Sequence, residues 1–149
     1  MNLDEKIINA LKDLDYKEAT EIQKKAIPVA LKKRDILAAA QSGTGKTAAF
    51  LLPILTELLA NKQANKPILR ALILVPTREL ATQISKAVDD FSKYMEVESL
   101  AMVGGVSTKD QEKKIAKGLD ILVATSGRLM EHLKNGTVDL SSVTTVVID

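Results

Sequence analysis

The sequence predicts an α/β fold built on a mostly parallel, doubly wound sheet. Three observations carry that expectation. Five largely apolar runs of strand length recur along the 149 residues: Ile36–Ala40, Ala71–Val75, Ser99–Val103, Ile121–Ala124 and Thr145–Asp149. Their apolar residues are mostly consecutive rather than alternating, as in strands buried on both faces. Helical patterns stand between them, and strand–helix–strand alternation builds parallel sheets through right-handed crossovers.

Two helices precede the first run. Leu3, Ile7, Ile8, Leu11 and Leu14 repeat at helical spacing and form one apolar stripe. A second helix begins near Thr20, and Pro28 is expected to interrupt or bend it, because proline has no N–H to donate. After Ile36–Ala40 comes Thr47–Ala60, whose Leu51, Leu52, Ile54 and Leu55 read as core. Asn61–Pro67 is a polar loop ahead of the strand Ala71–Val75. The helix Glu79–Met95 carries Leu80, Ile84, Ala87, Val88 and Phe91 on one stripe. Thr108–Lys117 is so charged that Lys109–Lys117 reads as a solvated face. A last helix runs from about Gly127 to Lys134, with Gly136 as its stop, and His132 reads as a solvated residue on it. The whole chain reads as one domain. Natural domains seldom end on a buried strand, so the strand ending at Asp149 suggests a fragment.

Composition narrows the function. Hydrophobic residues make up 46% and charged residues 27%, as in ordinary globular domains. Lys plus Arg number 21 against 19 acidic residues, so any nucleic-acid contact must come from local geometry, not a polycationic field. The sequence has no cysteine and one histidine, which excludes disulfides, thiolate chemistry and a histidine metal cluster. Aromatics at 3% leave little for a base-stacking surface. No apolar run is long enough to span a membrane, and residues 1–12 lack a signal-peptide layout. A cytoplasmic protein without membrane contact is expected.

The strongest local signal is Ala40-Gln41-Ser42-Gly43-Thr44-Gly45-Lys46-Thr47. It follows an apolar run and opens a helix, which is the context a phosphate-binding loop requires. Small residues let successive N–H groups turn inward, and the helix N-terminus adds partial positive charge. Ser42, Gly43, Thr44 and Gly45 form the cradle. Lys46 can reach the β- and γ-phosphates, and the Thr47 hydroxyl can ligate Mg²⁺. Ala40 stands where the usual pattern begins with glycine. A nucleoside triphosphate with Mg²⁺ is the ligand this implies, but the loop alone does not choose among enzymes.

Further stretches resemble the DEAD-box family of ATP-dependent RNA helicases, in the family's order and over essentially the whole chain. They are Tyr16–Gln23 (YKEATEIQ), the phosphate loop, Pro76–Ala81 (PTRELA), Gly104-Gly105, Thr125–Arg128 (TSGR) and Val146–Asp149 (VVID). The resemblance implies a RecA-like three-layer P-loop fold, here the N-terminal helicase domain of a bacterial-type member, with residues 1–28 as the Q-motif region. It also implies that Gln23 reads adenine with its amide; Tyr16 reads equally as a residue near that ring and as an ordinary core or surface tyrosine. Thr20-x-x-Gln23 is equally the pattern of a helix capping box. Pro76, Thr77 and Arg78, the pair Gly104-Gly105, and Thr125, Gly127 and Arg128 would hold an RNA strand by its backbone. Each lies at a strand-to-helix or turn junction where N–H groups suit phosphate. Ser126 replaces the family's usual proline, and a serine can cap the following helix. Contacts to phosphate and 2′-hydroxyl imply sequence-independent binding that favours RNA.

Asp149 would hold Mg²⁺ through water, with Lys46 as its catalytic companion at the phosphates. The glutamate that the family places after Asp149, its Ser-Ala-Thr stretch, a distal Phe ahead of the Q motif and the second RecA-like domain are not in this sequence. The parent protein is therefore expected to couple ATP hydrolysis to local RNA duplex unwinding, while these residues alone bind nucleotide without turnover. A sheet lacking its Ser-Ala-Thr strand would leave exposed edges and favour self-association. Two other readings stand beside this one: a non-enzymatic nucleotide- or RNA-binding module, and a small-molecule P-loop kinase. The kinase would need clustered lid arginines, whereas Arg34, Arg70, Arg78 and Arg128 are scattered.

Overall fold

The computed structural model describes residues 3–41, 43–61 and 66–149. The chain divides into two units, Met1–Lys62 with Ala87–Glu96 and Gln63–Lys86 with Val97–Asp149.

The first unit holds α1 (Glu5–Asp13), α2 (Glu21–Leu31) and α3 (Lys46–Ala60). Asp4 starts α1 by accepting from Lys6 N–H at 2.9 Å, satisfying one of the orphan donors of a helix start. Pro28 lies inside α2: the helix runs through it to Leu31, so proline does not end it. Pro53 is likewise inside α3, where Thr56 Oγ1 bonds back to the Leu52 carbonyl at 2.7 Å. Both α1 and α2 pack on α3. Tyr16 meets Phe91 edge-on, with ring centroids 5.8 Å apart and planes at 67°, a favoured aromatic arrangement. Lys93 Nζ donates to Asp13 Oδ2 at 2.8 Å, and the Tyr94 hydroxyl donates to the same oxygen.

The second unit is a parallel four-stranded sheet of β1 (Ala71–Val75), β2 (Ser99–Met102), β3 (Ile121–Thr125) and β4 (Thr145–Ile148), in the order β2-β3-β1-β4. Also present are α4 (Arg78–Phe91), whose C-terminal turns belong to the first unit, α5 (Thr108–Lys117) and α6 (Ser126–Lys134). Leu72, Leu100, Met102, Leu119, Leu122, Ala124, Leu129 and Val138 form its core. Register aligns Val75 with Thr125, Met102 with Ala124 and Leu74 with Ile148. The C-terminal ends of all four strands therefore share one edge of the sheet, where open α/β sheets bind ligands.

Two expectations are corrected. Ile36–Ala40 is not a strand: it is extended chain with no strand partner among the described residues. Leu37 is fully solvent-exposed, at 104% of its reference area. Apolar composition makes a strand only where a neighbour takes up its backbone donors and acceptors. The sheet stops at β4, where Val146 and Ile148 are exposed. His132, in turn, is completely buried (0% exposed), and Gln111 within the charged α5 is 1% exposed. The loop expected at Asn61–Pro67 lies largely outside the described residues. Elsewhere the expected elements match to within a residue or two, apart from a later start to the first helix and an earlier end to α4, at Phe91 rather than Met95.

Candidate functional site

In the first unit the chain enters α3 through two left-handed glycines, Gly43 at φ 78° and Gly45 at φ 86°. A side chain is strained at either angle, so glycine is required for the curl. Thr44 Oγ1 donates to Gln41 O at 2.6 Å and closes the turn. Gly45 is the N-cap of α3, and Lys46 and Thr47 begin the first helical turn, half-buried. Lys46 and Thr47 thus stand at the N-terminal end, where the helix dipole favours an anion. Ser42 lies outside the described residues.

Gln23 is buried one helix away. Its Oε1 accepts from Thr20 N–H at 3.0 Å, the reciprocal half of a capping box. Its Nε2 donates to Gly45 O at 3.1 Å. The same carbonyl accepts the first α3 bond from Ala49 N–H at 3.1 Å, using both lone pairs. One Gln23 amide thus bonds both the start of α2 and the end of the glycine loop before α3. It keeps one amide hydrogen free, because an NH₂ group carries two donors. Beside it lies a cavity of about 150 Å³ whose lining includes Leu3, Leu11, Tyr16, Gln23 and Leu52.

In the second unit the edge formed by the strand ends carries the other candidate residues. After β1, Pro76, Thr77 and Arg78 are exposed, and Thr77 Oγ1 accepts from Leu80 N–H at 3.1 Å to cap α4. After β2 comes the glycine pair. Arg78 Nη1 approaches Gly104 O at 3.4 Å. Gly105 has φ 81°, and a Cβ there would lie 2.6 Å from Arg78 Nη1, so any other residue would be strained and would push that guanidinium aside. After β3, Thr125 and Gly127 flank the start of α6. Arg128 Nη1 bonds Thr108 Oγ1 at 2.8 Å and Glu131 Oε2 at 3.2 Å, while its Nη2 lies 4.0 Å from where a Gly104 Cβ would stand. The structure thus brings Arg78 and Arg128 to the same glycine turn. After β4, Asp149 N–H donates to Leu74 O at 3.0 Å, which puts its carboxylate at that edge too.

Sequence reasoning missed two residues here. Gln111 Nε2 donates to Val103 O at 3.1 Å, and its Oε1 faces His132 Nε2 at 3.0 Å. The signal was the spacing of Gln111 and Ile115 in α5, whose charges otherwise conceal an inward stripe. No group of three or more His, Cys, Asp or Glu that could hold a metal occurs among the described residues. A Mg²⁺ ion here would depend on nucleotide phosphates plus one or two protein oxygens, as Mg²⁺ sites commonly do. No helix among the described residues is long and apolar enough to cross a membrane.

Comparison with known proteins identifies the family. The family model described as DEAD/DEAH box helicase matches residues 20–149. The chain is 45% identical over 144 residues to the ATP-dependent RNA helicase DeaD of Escherichia coli, covering 96% of this chain and 22% of that protein. It is 41% identical over 150 residues to the probable ATP-dependent RNA helicase ddx27 of Dictyostelium discoideum, covering all of this chain and 19% of that one. The ATP-dependent rRNA helicase RRP3 of Kluyveromyces lactis is 47% identical over 135 residues, covering 91% and 27%. The chain thus spans about a fifth to a quarter of the length of these relatives. Among solved structures, that of a hypothetical ATP-dependent RNA helicase from Sulfolobus tokodaii superposes with a TM-score of 0.87 at 37% identity, covering 99% of this chain and 41% of that one. With the family model matched over residues 20–149, this chain belongs to the DEAD/DEAH box helicase family.

Proposed function

We propose that these residues are the ATP-binding and RNA-backbone-binding half of an RNA helicase that couples ATP hydrolysis to local duplex unwinding. The observation that carries the nucleotide half is the Gln23 amide bonded to Gly45 O. It links an adenine-reading position to the phosphate loop through one side chain. The free amide hydrogen and the adjoining cavity suit an adenine edge and ring, with Tyr16 at the cavity wall. Gly43, Thr44, Gly45 and Ser42 would offer N–H groups to the phosphates. Lys46 would bind the β- and γ-phosphate oxygens, and Thr47 would hold Mg²⁺, which supplies charge neutralisation at the phosphates.

The RNA half rests on the glycine turn with its two guanidiniums. Pro76, Thr77, Arg78, Gly104, Gly105, Thr125, Gly127 and Arg128 line strand ends that expose N–H groups and positive charge but few base-reading side chains. Phosphate contacts of this kind position a strand without reading its sequence. A cytoplasmic location and closure against a second RecA-like domain belong to the same reading, with the domain 1–149 as one half of the pair.

By themselves the 149 residues bind nucleotide with negligible turnover. The carboxylate that the family places after Asp149 is not among them, and an arginine finger from elsewhere is worth about 10³–10⁵ in rate. The free edge of β4 favours self-association of this chain.

The test is a titration with fluorescent ADP and Mg²⁺, repeated for Gln23→Ala and Lys46→Ala, with GDP as competitor. Saturable binding that both substitutions weaken and GDP fails to displace is the expected result. Binding that GDP displaces equally well, or that neither substitution changes, overturns the adenine assignment. Hydrolysis stimulated by RNA in these residues alone overturns the half-site reading.

A further inference from the structure

We propose that Gln111 and His132 are positioning residues that set the Gly104-Gly105 turn for an RNA phosphodiester, an inference that rests on the RNA reading above. His132 of α6, Gln111 of α5 and the Val103 carbonyl form one hydrogen-bonded chain: His132 Nε2 to Gln111 Oε1 at 3.0 Å, then Gln111 Nε2 to Val103 O at 3.1 Å. Because the Gln111 NH₂ end is spent on a carbonyl, its oxygen faces the ring. The His132 proton therefore sits on Nε2, a tautomer assigned from the network.

Such a chain has a cost. Both side chains are fully buried, and His132 Nδ1 has no hydrogen-bond partner. Buried polar groups are expensive when incompletely paired, and apolar side chains of similar volume would fill the same space without an orphan. What apolar side chains cannot do is aim a carbonyl. A trans peptide holds its C=O and the next N–H in one plane, pointing in opposite directions. Turning Val103 O toward α5 therefore turns Gly104 N–H away from Gln111. The following residue, Gly105, is left-handed and admits Arg78, and Gly104 O lies 3.4 Å from Arg78 Nη1. Arg128, four residues before His132 on α6, is anchored to Thr108 at the start of α5. The same two helices thus hold the turn from below and bring the second guanidinium to it, which matches the placement of a phosphate receptor.

The test uses the 149-residue chain, a labelled single-stranded oligouridine, and the variants Gln111→Met, His132→Phe, Arg78→Ala and Arg128→Ala. Gln111→Met is expected to weaken RNA binding roughly tenfold, about what one hydrogen bond is worth. It should also lower the slope of log K against log salt by about 0.7 for each phosphate the turn no longer neutralises, with affinity for Mg²⁺-ADP unchanged. A variant that is only less folded would bind both ligands more weakly and keep its salt slope. In ¹H–¹⁵N spectra Gln111→Met and His132→Phe should each move the Gly104 and Gly105 amides. The unaltered chain has a single histidine, so its one imidazole should show a slowly exchanging Nε2–H. An Nδ1–H tautomer, unmoved glycine amides, or an unchanged RNA slope in Gln111→Met overturns the proposal. If Arg78→Ala and Arg128→Ala leave RNA binding unchanged, the RNA reading itself falls and takes this inference with it. If those arginine variants weaken RNA binding and Gln111→Met does not, only the positioning role fails.

Discussion

Gln23 donates its side-chain amide to the carbonyl of Gly45, 22 residues later, at 3.1 Å, so the start of one helix and the glycine loop that opens another share a hydrogen bond. The link is part-buried, and it leaves the loop's last carbonyl with two donors, Gln23 and Ala49 N–H. Gln23→Ala removes this bond and the Thr20 bond at once. Losing the capping half costs about 0.5–2 kcal/mol, and the bond to Gly45 adds about 1 kcal/mol. Urea unfolding is expected to show a loss of this size, with weaker Mg²⁺-ADP binding beside it. Unchanged stability would mean that the amide bonds are replaced by water.

The two loop glycines separate backbone strain from collision. Both have φ near +80°, but an added Cβ at Gly43 meets nothing within 4 Å, whereas at Gly45 it runs into Gln23 Nε2 and lies 2.7 Å from Thr20 Oγ1. Gly43→Ala should therefore cost only the left-handed penalty, about 1–2 kcal/mol. Gly45→Ala carries the same penalty plus displacement of a buried hydrogen-bonded amide, for a total of about 3 kcal/mol or more. Denaturant midpoints of the two variants check the order. Equal losses would show that Gln23 moves aside freely.

These differences mark where the sequence was legible. Ala71–Val75 and Thr108–Lys117 were readable to the residue, because a continuous apolar run and a Ser-Thr start before a glycine stop are local signals. The loop glycines Gly43 and Gly45 were readable as candidates from motif spacing, whereas Gly104, Gly105 and Arg78 were candidates through the family resemblance. Ile36–Ala40 was misread because apolar composition reports burial in a sheet only when another strand supplies the ladder, and pairing is not a local property. His132 and Gln111 were misread for a related reason. Each looks solvated on its own charged helix, and only the approach of α5 to α6 shows that they satisfy one another. Gln23 carried two readings, capping and adenine recognition; the structure shows the capping contact together with a bond to Gly45 O that neither reading contained.

Acid and alkali should act on the first unit through Asp13. Hydrogen bonds from Lys93 and Tyr94 hold its carboxyl below the ordinary range, and the same contacts raise Lys93 and Tyr94 above theirs. The lowered carboxyl means that the unfolded chain binds this proton more readily. Its contribution is complete above the ordinary carboxylate range and drains away as pH falls below about 4. The raised Lys93 and Tyr94 contribute fully below their ordinary values and are lost as pH climbs above about 10. All three groups are exposed, so the effect is small and screened by salt. Thermal melts of Asp13→Asn should be flatter than those of the parent chain at both extremes, and high salt should narrow the gap. Parallel pH profiles would show that the contact contributes nothing.

The outer edge of the sheet provides the last expectation. Among the described residues β4 pairs only with β1, so its far side presents unpaired donors and acceptors. Val146 and Ile148, two residues apart and hence on one face, are 54% and 81% exposed. An apolar edge strand without lysine, proline or a bulge lacks the usual devices against edge-to-edge pairing. Sedimentation is expected to show association that grows with concentration. Val146→Lys with Ile148→Lys should suppress it while leaving the unfolding free energy within about 0.5 kcal/mol, since exposed side chains contribute little to folding. Lysines on an edge strand repel a like edge and remain solvated, so they act on pairing alone. A monomer at every concentration, or association that survives both lysines, would place self-recognition elsewhere on the molecule.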